Sequence, residues 1–332
     1  MDYIDVHAHG FPEAYLRQLA TTYPTEVQVE EASGATPMVT RWSKAPLPAW
    51  NIEHHLEEMN RDGVAVEVLS VPPVYSHLDS HTAGFCRLLN DFQAEVVRAA
   101  PGRFRSFIHL PVHDATASLQ ELARWRGRSE VAGVLFGSNM GGVYPGDVSL
   151  LPIWEAIHAA DFPVFIHPLA PCGYSGPVMP VILAFPGDTA TAAASIIYAG
   201  LFERLPKLKV ILAHYGGELP AVARRLDMAV DISFFPPGHG QNLPQLPSHY
   251  LSRFYADTAQ GFYRPAFDCA CAVFGLDHLV YGSDHFFHGS RWRPELNRFL
   301  ASLPLSQTER HALMRGNAER LLVGVNVEKT RL

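Results

Sequence analysis

The sequence has no uninterrupted apolar run of the roughly 18 residues that a membrane-spanning helix needs, and no membrane partner is expected. It is poor in cysteine: Cys86, Cys172, Cys269 and Cys271 are the only four in 332 residues. Four thiols over that length make no disulfide framework, and Cys269-x-Cys271 is the wrong spacing for a zinc knuckle. Free thiols in a reducing cytoplasm are expected. Basic tracts are missing too. With 26 Lys+Arg against 33 Asp+Glu the net charge is −7, and no stripe interleaves cations with aromatics, so nucleic-acid binding is set aside. The start, Met1-Asp2-Tyr3-Ile4-Asp5, lacks the basic and apolar parts of a secretory leader, and none is expected. There is no G-x-G-x-x-G, no Walker loop and no G-x-S-x-G, which leaves dinucleotide, nucleotide and serine-hydrolase chemistry without support.

What is present points elsewhere. Apolar residues make up 48% and charged residues 18%, enough for a sizeable core and against disorder. Short β-branched runs ended by polar or turn residues read as eight buried strands, at 3–7, 64–71, 104–110, 131–136, 163–167, 209–214, 253–257 and 278–284. Several are apolar throughout, such as Val210-Ile211-Leu212-Ala213, as in parallel strands covered on both faces. Helical patterns fall between them, at 51–62, 82–100, 115–126, 151–160, 189–202, 218–231 and 265–274, with a last pair at 306–315 and 317–322. Asn51 is an N-cap candidate for the first, and Gly63 ends it. Alternating strands and helices predict an α/β fold, a closed (β/α)8 TIM-type barrel in one domain over 1–332. Residues 20–50 break the rhythm. Alternation at 25–30 and again near 37–42 predicts a small inserted β flap after strand 1. Two further stretches, 170–187 with four prolines and three glycines, and 234–248, read as long loops.

The unusual count is histidine, at 17. Strand 1 ends in His7-Ala8-His9, and residues two apart on a strand face the same way. Strand 5 ends in His167, strand 6 in His214, and strand 8 in Gly282-Ser283-Asp284. In a barrel these ends share one face, where imidazoles and a carboxylate can converge on a divalent ion. Strand 4 offers no lysine or glutamate to bridge two ions, so one ion is expected. Each histidine taken singly also reads as a hydrogen-bonded core residue. His54 and His55 share an early helix, and one of them is expected to be solvated.

The order H-x-H, strand-5 His, strand-6 His, strand-8 Asp resembles the amidohydrolase superfamily. Its details are similar to the aminocarboxymuconate-semialdehyde decarboxylase branch. The matching pieces are Ile4-Asp5-Val6-His7-Ala8-His9, Glu57-Glu58-Met59 with Asp62-Gly63-Val64, and Phe165-Ile166-His167-Pro168. They continue in Gly200-Leu201-Phe202-Glu203-Arg204-Leu205-Pro206, Leu212-Ala213-His214-Tyr215-Gly216-Gly217, Tyr281-Gly282-Ser283-Asp284 and Gly316-Asn317-Ala318.

The resemblance implies that His7, His9, His167 and Asp284 ligate one divalent ion, Zn²⁺ before Mn²⁺. It implies His214 as catalytic acid/base, with Asp284 assisting. It implies an arginine that reaches a neighbouring subunit's site and holds substrate carboxylate, matched by Arg225, and a second in the flap, for which Arg41 is nearest. Arg225 equally reads as a surface ion pair. A homodimer or larger homo-oligomer follows from the shared arginine. Where the family carries an aromatic and proline after the strand-8 aspartate, this chain has His285-Phe286-Phe287-His288. Phe286 and Phe287 either wall an apolar pocket or pack their own loop. Asn139, just past strand 4, either faces substrate or fills a turn.

The implied reaction is metal-dependent, non-oxidative decarboxylation of an aromatic acid such as a hydroxybenzoate, or of an unsaturated acid. His214 and metal-bound water would handle the proton; imidazole is the side chain that exchanges protons near neutrality. The same ligands activate water, so a hydrolase or hydratase of a lactone, amide or unsaturated acid is the second reading. A non-catalytic barrel that binds a small acid is the third, and His214 argues against it.

Overall fold

The structure is a computed structural model that describes residues 2–25, 27–30, 39–42, 45–48, 50–72, 79–231, 242–286 and 291–322. Side chains of 39–48 and of residue 231 lie outside the description. Eleven strands follow in chain order. They are β1 (Tyr3–His9), β2 (Val27–Glu30), β3 (Val39–Trp42), β4 (Ala45–Pro48), β5 (Val64–Ser70), β6 (Phe104–His109), β7 (Val131–Gly137), β8 (Val164–His167), β9 (Val210–Leu212), β10 (Phe254–Asp257) and β11 (Leu279–Val280).

Eight of them, β1 and β5 to β11, form one parallel sheet in that order. The sheet closes on itself. The Val6 amide donates to the Tyr281 carbonyl at 3.0 Å, and Ala8 bridges His285 in parallel. The fold is therefore the expected (β/α)8 barrel. Inside it, Ile4, Val6, Val66, Val68, Phe107, Leu135, Phe165, Ile211 and Val280 make the filling, and Ala318, Leu321 and Leu322 plug one end. A larger apolar layer joins the outer faces of the strands to the helices. Helix Ile52–Asp62 forms where capping predicts: the Asn51 side chain accepts from the His54 amide at 2.8 Å, and Gly63 ends it with φ 75°.

The insertion is a three-stranded antiparallel sheet, β2-β3-β4, one strand more than the alternation indicated. The third strand holds Pro46 and Pro48, which a ladder tolerates at an edge. A helix, Glu13–Thr22, precedes it and packs Tyr15, Leu16 and Leu19 on a small core with Phe85 and Leu89.

Three expectations need correction. Residues 170–187 are not one loop, because helix Pro180–Tyr198 begins at Pro180. Proline suits a first turn, where its missing N–H has no partner to lose. Pro186 lies inside that helix, and its carbonyl receives the Glu218 amide at 3.3 Å. This helix is also long and apolar enough to cross a bilayer by length and composition, a combination that counting unbroken apolar runs overlooks. One face of it, Asp188, Thr189, Ala192, Ala193, Ile196 and Ile197, is buried in the protein. Third, helices Glu13–Thr22 and Trp292–Ser302 have no counterpart among the expected ones. The strands expected at 209–214 and 278–284 are also shorter, as β9 and β11, for a reason that belongs to the site.

Candidate metal centre

His7, His9, His167 and Asp284 meet at the end of the barrel opposite the plug, all buried, with one ligand atom from each within 4.8 Å of the others. The barrel builds this convergence strand by strand. A register shift in the β1–β5 pairing falls between Asp5 and Ala8. The rings of His7 and His9 come to lie 5.0 Å apart and edge to face. Phe165, two residues before His167 on β8, lies 4.9 Å from the His7 ring and stacks on Phe107. These aromatics make an apolar floor under the imidazoles.

β9 stops at Leu212 because the chain turns sharply at His214 and Tyr215, whose φ angles are 58° and 54°. The last strand stops at Val280: beyond it the Gly282 amide donates to the Thr258 hydroxyl at 3.1 Å and the Ser283 amide to Asp5 Oδ1 at 3.0 Å, side chains in place of a ladder, and Asp284 follows in a left-handed conformation with φ 55°. Histidine and aspartate are among the few non-glycine types that visit this region. Gly282 lets the last strand approach: a Cβ there would meet the Asp257 Cβ at 2.8 Å and the His7 Cβ at 3.0 Å.

Each imidazole is oriented from behind. His7 Nδ1 lies 2.7 Å from Asp257 Oδ2, His9 Nδ1 3.2 Å from the Ser70 carbonyl, and His167 Nδ1 3.0 Å from the Pro168 carbonyl. An outer acceptor fixes the proton on Nδ1 and frees Nε2 for a cation. The Nε2 atoms of His7 and His167 are buried and have no hydrogen-bond partner among the described residues. His9 Nε2 lies 3.0 Å from Asp284 Oδ1, and His7 Nε2 3.4 Å from the same oxygen. Buried, inward-facing imidazole nitrogens around a carboxylate are what a divalent ion satisfies, so the donor set fits one.

Electrostatics agree. Burial holds His9 below its ordinary pKa and His167 well below it, which keeps both neutral as ligands must be. For His7, burial pulls down, but the carboxylates of Asp257 and Asp284 outweigh it and leave the group raised.

His214 stands beside this set. Its Nε2 is 3.2 Å from Asp284 Oδ2 and its ring centre 5.2 Å from that of His7. Its side chain is 15% exposed, more than the buried His7 and His9, so it faces the mouth. Asp257 ties both parts together. Besides holding His7, it accepts the His214 amide at 2.8 Å and the Ala259 amide at 2.9 Å through Oδ1. Sequence reading drew the strand that ends at Asp257 and gave the residue no role. An aspartate at the same barrel end as the histidines was the available signal.

The remaining expected residues fall as follows. The Asn139 amide donates to Asp188 Oδ2 at 2.7 Å and to the Ala170 carbonyl at 3.1 Å, and its oxygen accepts from Gly142 N at 3.3 Å. Its polar atoms thus serve the loop wall. Phe286 packs toward Phe11 at 6.1 Å. Arg225 is exposed on the short helical stretch after His214. Arg41 has its backbone in β3 and its side chain outside the described residues, and Phe287 lies outside them altogether. Of the early histidine pair, His54 is exposed and His55 is buried against Glu67.

A family model described as Amidohydrolase matches residues 4–323. Among curated proteins, 2-amino-3-carboxymuconate-6-semialdehyde decarboxylase of Dictyostelium discoideum is 33% identical over 224 residues, 63% of this chain and 59% of that protein. The matched part is thus less than two thirds of that relative's length. Gamma-resorcylate decarboxylase of Polaromonas sp. strain JS666 is 28% identical over 284 residues, covering 79% of this chain and 84% of that one. In three dimensions, a dihydroxybenzoic acid decarboxylase from Polaromonas sp. JS666, solved with bound manganese and 2-nitroresorcinol, aligns with a TM-score of 0.77. It is 24% identical and covers 97% of each chain, a likeness of fold.

Proposed function

The chain belongs to the amidohydrolase family, and from that premise we propose that it is a metal-dependent, non-oxidative decarboxylase of a hydroxybenzoate-like aromatic acid. The observation that carries this reading is the pairing of His214 Nε2 with Asp284 Oδ2 at 3.2 Å, beside three buried imidazoles. The relatives named decarboxylases support it.

His7, His9, His167 and Asp284 would hold one divalent ion, zinc before manganese for a set of three imidazoles and one carboxylate. When bound, the ion neutralises charge on a carboxylate or phenolate oxygen and acidifies water. Protonated His214 gives its proton to the ring carbon that bears the carboxylate. The carbon–carbon bond to the carboxylate then breaks, its electron pair returns to the ring, CO2 leaves, and His214 is neutral. Asp284 Oδ2, 3.2 Å from Nε2, stabilises the imidazolium and holds the ring at the mouth, and the Nε2 proton leaves this hydrogen bond as it passes to the ring carbon. The buried rings of Phe165 and Phe107 close the barrel beneath the imidazoles and keep water out from that side.

Arg225 is exposed on its own subunit, so we place it in a neighbour's site, holding substrate carboxylate by paired hydrogen bonds, which requires at least a dimer. Arg41 and Phe287 are the flap and loop candidates for the same pocket. All four cysteines are free, which supports a cytoplasmic location.

The test is CO2 release by metal-loaded protein from a panel of hydroxybenzoates, with metal counted on the same sample. His214→Ala is expected to lower the rate by about 10²- to 10⁴-fold while the metal stays bound. One bound ion and no CO2 from any acid would sink the proposal and turn attention to lactones and amides.

A further inference from the structure

The barrel is thinly stitched where its last strand meets its first. β11 is two residues long, and the main-chain ties across the seam among the described residues are two hydrogen bonds, from the Val6 amide to the Tyr281 carbonyl and from the His9 amide to the His285 carbonyl, the second within the Ala8–His285 bridge. Yet this seam carries His7 and His9 on one side and Asp284 on the other. A wholly buried carboxylate, Asp5, lies in it. Its Oδ1 accepts the backbone N–H of His7 at 3.1 Å and that of Ser283 at 3.0 Å. Its Oδ2 accepts the Ser283 hydroxyl at 2.5 Å. One side chain therefore grips the peptide of one metal-binding residue and the residue preceding another.

Arg293, 2% exposed, comes from helix Trp292–Ser302 to hold this arrangement from outside the barrel. Its Nε donates to Ser283 Oγ at 3.3 Å and lies 3.7 Å from Asp5 Oδ2. Its Nη2 donates to Glu67 Oε1 at 2.6 Å. The second oxygen of Glu67 is held by His55 Nε2, and His55 Nδ1 accepts the Trp50 indole N–H at 2.9 Å. Donors and acceptors run consistently along this chain with His55 neutral. Trp50 in turn packs over Gly10, one residue beyond His9, where a Cβ would lie 3.0 Å from the indole.

We propose that Asp5 is a positioning residue that sets His7 and Asp284 together, and that Arg293 fixes the orientation of its carboxylate. The inference rests on the reading of the site as a metal centre. A carboxylate kept only for stability could bond to any buried donor. This one spends its bonds on a ligand's own amide and on the residue before another ligand, and the arginine spans the same seam.

The experiment uses metal-free wild type, Asp5→Asn, Arg293→Met, the double variant and Ser283→Ala. Affinity for zinc is measured by competition with a chromophoric chelator, and the cobalt ligand-field spectrum reports the donor geometry. Near-ultraviolet circular dichroism of the metal-free chains reports the fold. Asp5→Asn and Arg293→Met are expected to weaken zinc binding about 10- to 100-fold and to shift the cobalt bands in a folded chain. The double variant is expected to be no weaker than Asp5→Asn alone, as two residues on one path require. Wild-type affinity and an unshifted spectrum in Asp5→Asn would overturn the proposal, and a fully additive double variant would overturn the role of Arg293. Should Asp5→Asn not fold, Ser283→Ala decides: it removes the hydroxyl that donates to Asp5 and accepts from Arg293 Nε and the His285 amide, while leaving the Asp5 carboxylate on the His7 and Ser283 amides, and an unchanged affinity and spectrum there count against the proposal. Wild type that binds neither zinc nor cobalt overturns the metal-centre reading itself, a distinct result.

Discussion

Replacing Asp257 with asparagine tests the orientation of His7 with almost no change in shape. Two placements of the new amide compete. In one, its oxygen keeps the His214 and Ala259 amides, accepted in the native chain at 2.8 and 2.9 Å, and its NH2 faces His7 Nδ1. In the other, the oxygen faces His7 and the NH2 confronts two buried backbone donors. Each unsatisfied buried donor costs about 1–3 kcal/mol, so the second placement loses by several kcal/mol. The first prevails, and it forces His7 to move its proton from Nδ1 to Nε2, the nitrogen that points into the centre. That nitrogen must then lose a proton before it can bind a cation. Losing such an outer partner weakens metal binding about 10- to 100-fold, or about 1.4–2.7 kcal/mol. Zinc competition against a chelator reads the affinity, and CO2 release at saturating zinc reads whatever defect remains at His214. Asp257→Asn with wild-type zinc affinity would refute the reasoning, because the outer carboxylate would then not set the tautomer.

Two further outcomes are expected. Arg225→Ala should keep its metal and lose most activity, and mixing it with His214→Ala should restore part of it through hybrid oligomers; mixtures with no recovery would remove the shared site. His109, buried at the end of β6 and pushed down to about 3 mainly by burial, is neutral in the folded chain and protonates near 6.5 when unfolded. Its contribution to stability is therefore full above about pH 6.5 and is lost as pH falls toward 3, by at most about 1.4 kcal/mol per pH unit. His109→Gln, which keeps an acceptor for the Val71 amide, should flatten that slope in urea unfolding of the metal-free protein, and an identical slope would rule the residue out.

The barrel, and the gathering of histidines and an aspartate at one of its ends, were legible because strand ends carry them; which four of them are proposed to hold the ion came from the family resemblance. His7, His9, His167 and Asp284 needed no knowledge of loops. Asp257 and Asp5 were harder. An aspartate closing Phe254-Tyr255-Ala256-Asp257 reads like any turn residue, and Asp5 reads as part of a motif, until the partners brought by other strands are seen. Arg293 lies in a helix the sequence analysis leaves out, although Trp292, Leu296, Phe299 and Leu300 fall at helical spacing along Trp292–Ser302. The proline count at 170–187 reads as a loop because Pro180 at a first turn and Pro186 within the helix look the same as loop prolines in one dimension. The roles proposed for Arg225, Arg41 and Phe287 would depend on a second subunit, on the flap and on the loop after Asp284, none of which is encoded in local periodicity.

The left-handed backbone at His214 and Asp284 limits how this site can be altered in the laboratory. Glycine, asparagine, aspartate and histidine enter that conformation most cheaply, other residues such as the adjacent Tyr215 do so at a cost of about 1–2 kcal/mol, and a β-branched residue there is a marked outlier. Saturation libraries at 214 and 284 should therefore be biased toward that short alphabet, with β-branched members the least stable. His7, His9 and His167 carry no such restriction, since none of them has a positive φ. A redesigned donor set, with a thiolate or a longer carboxylate, is best installed on the extended strands, where only the side chain and its outer acceptor need to be renegotiated.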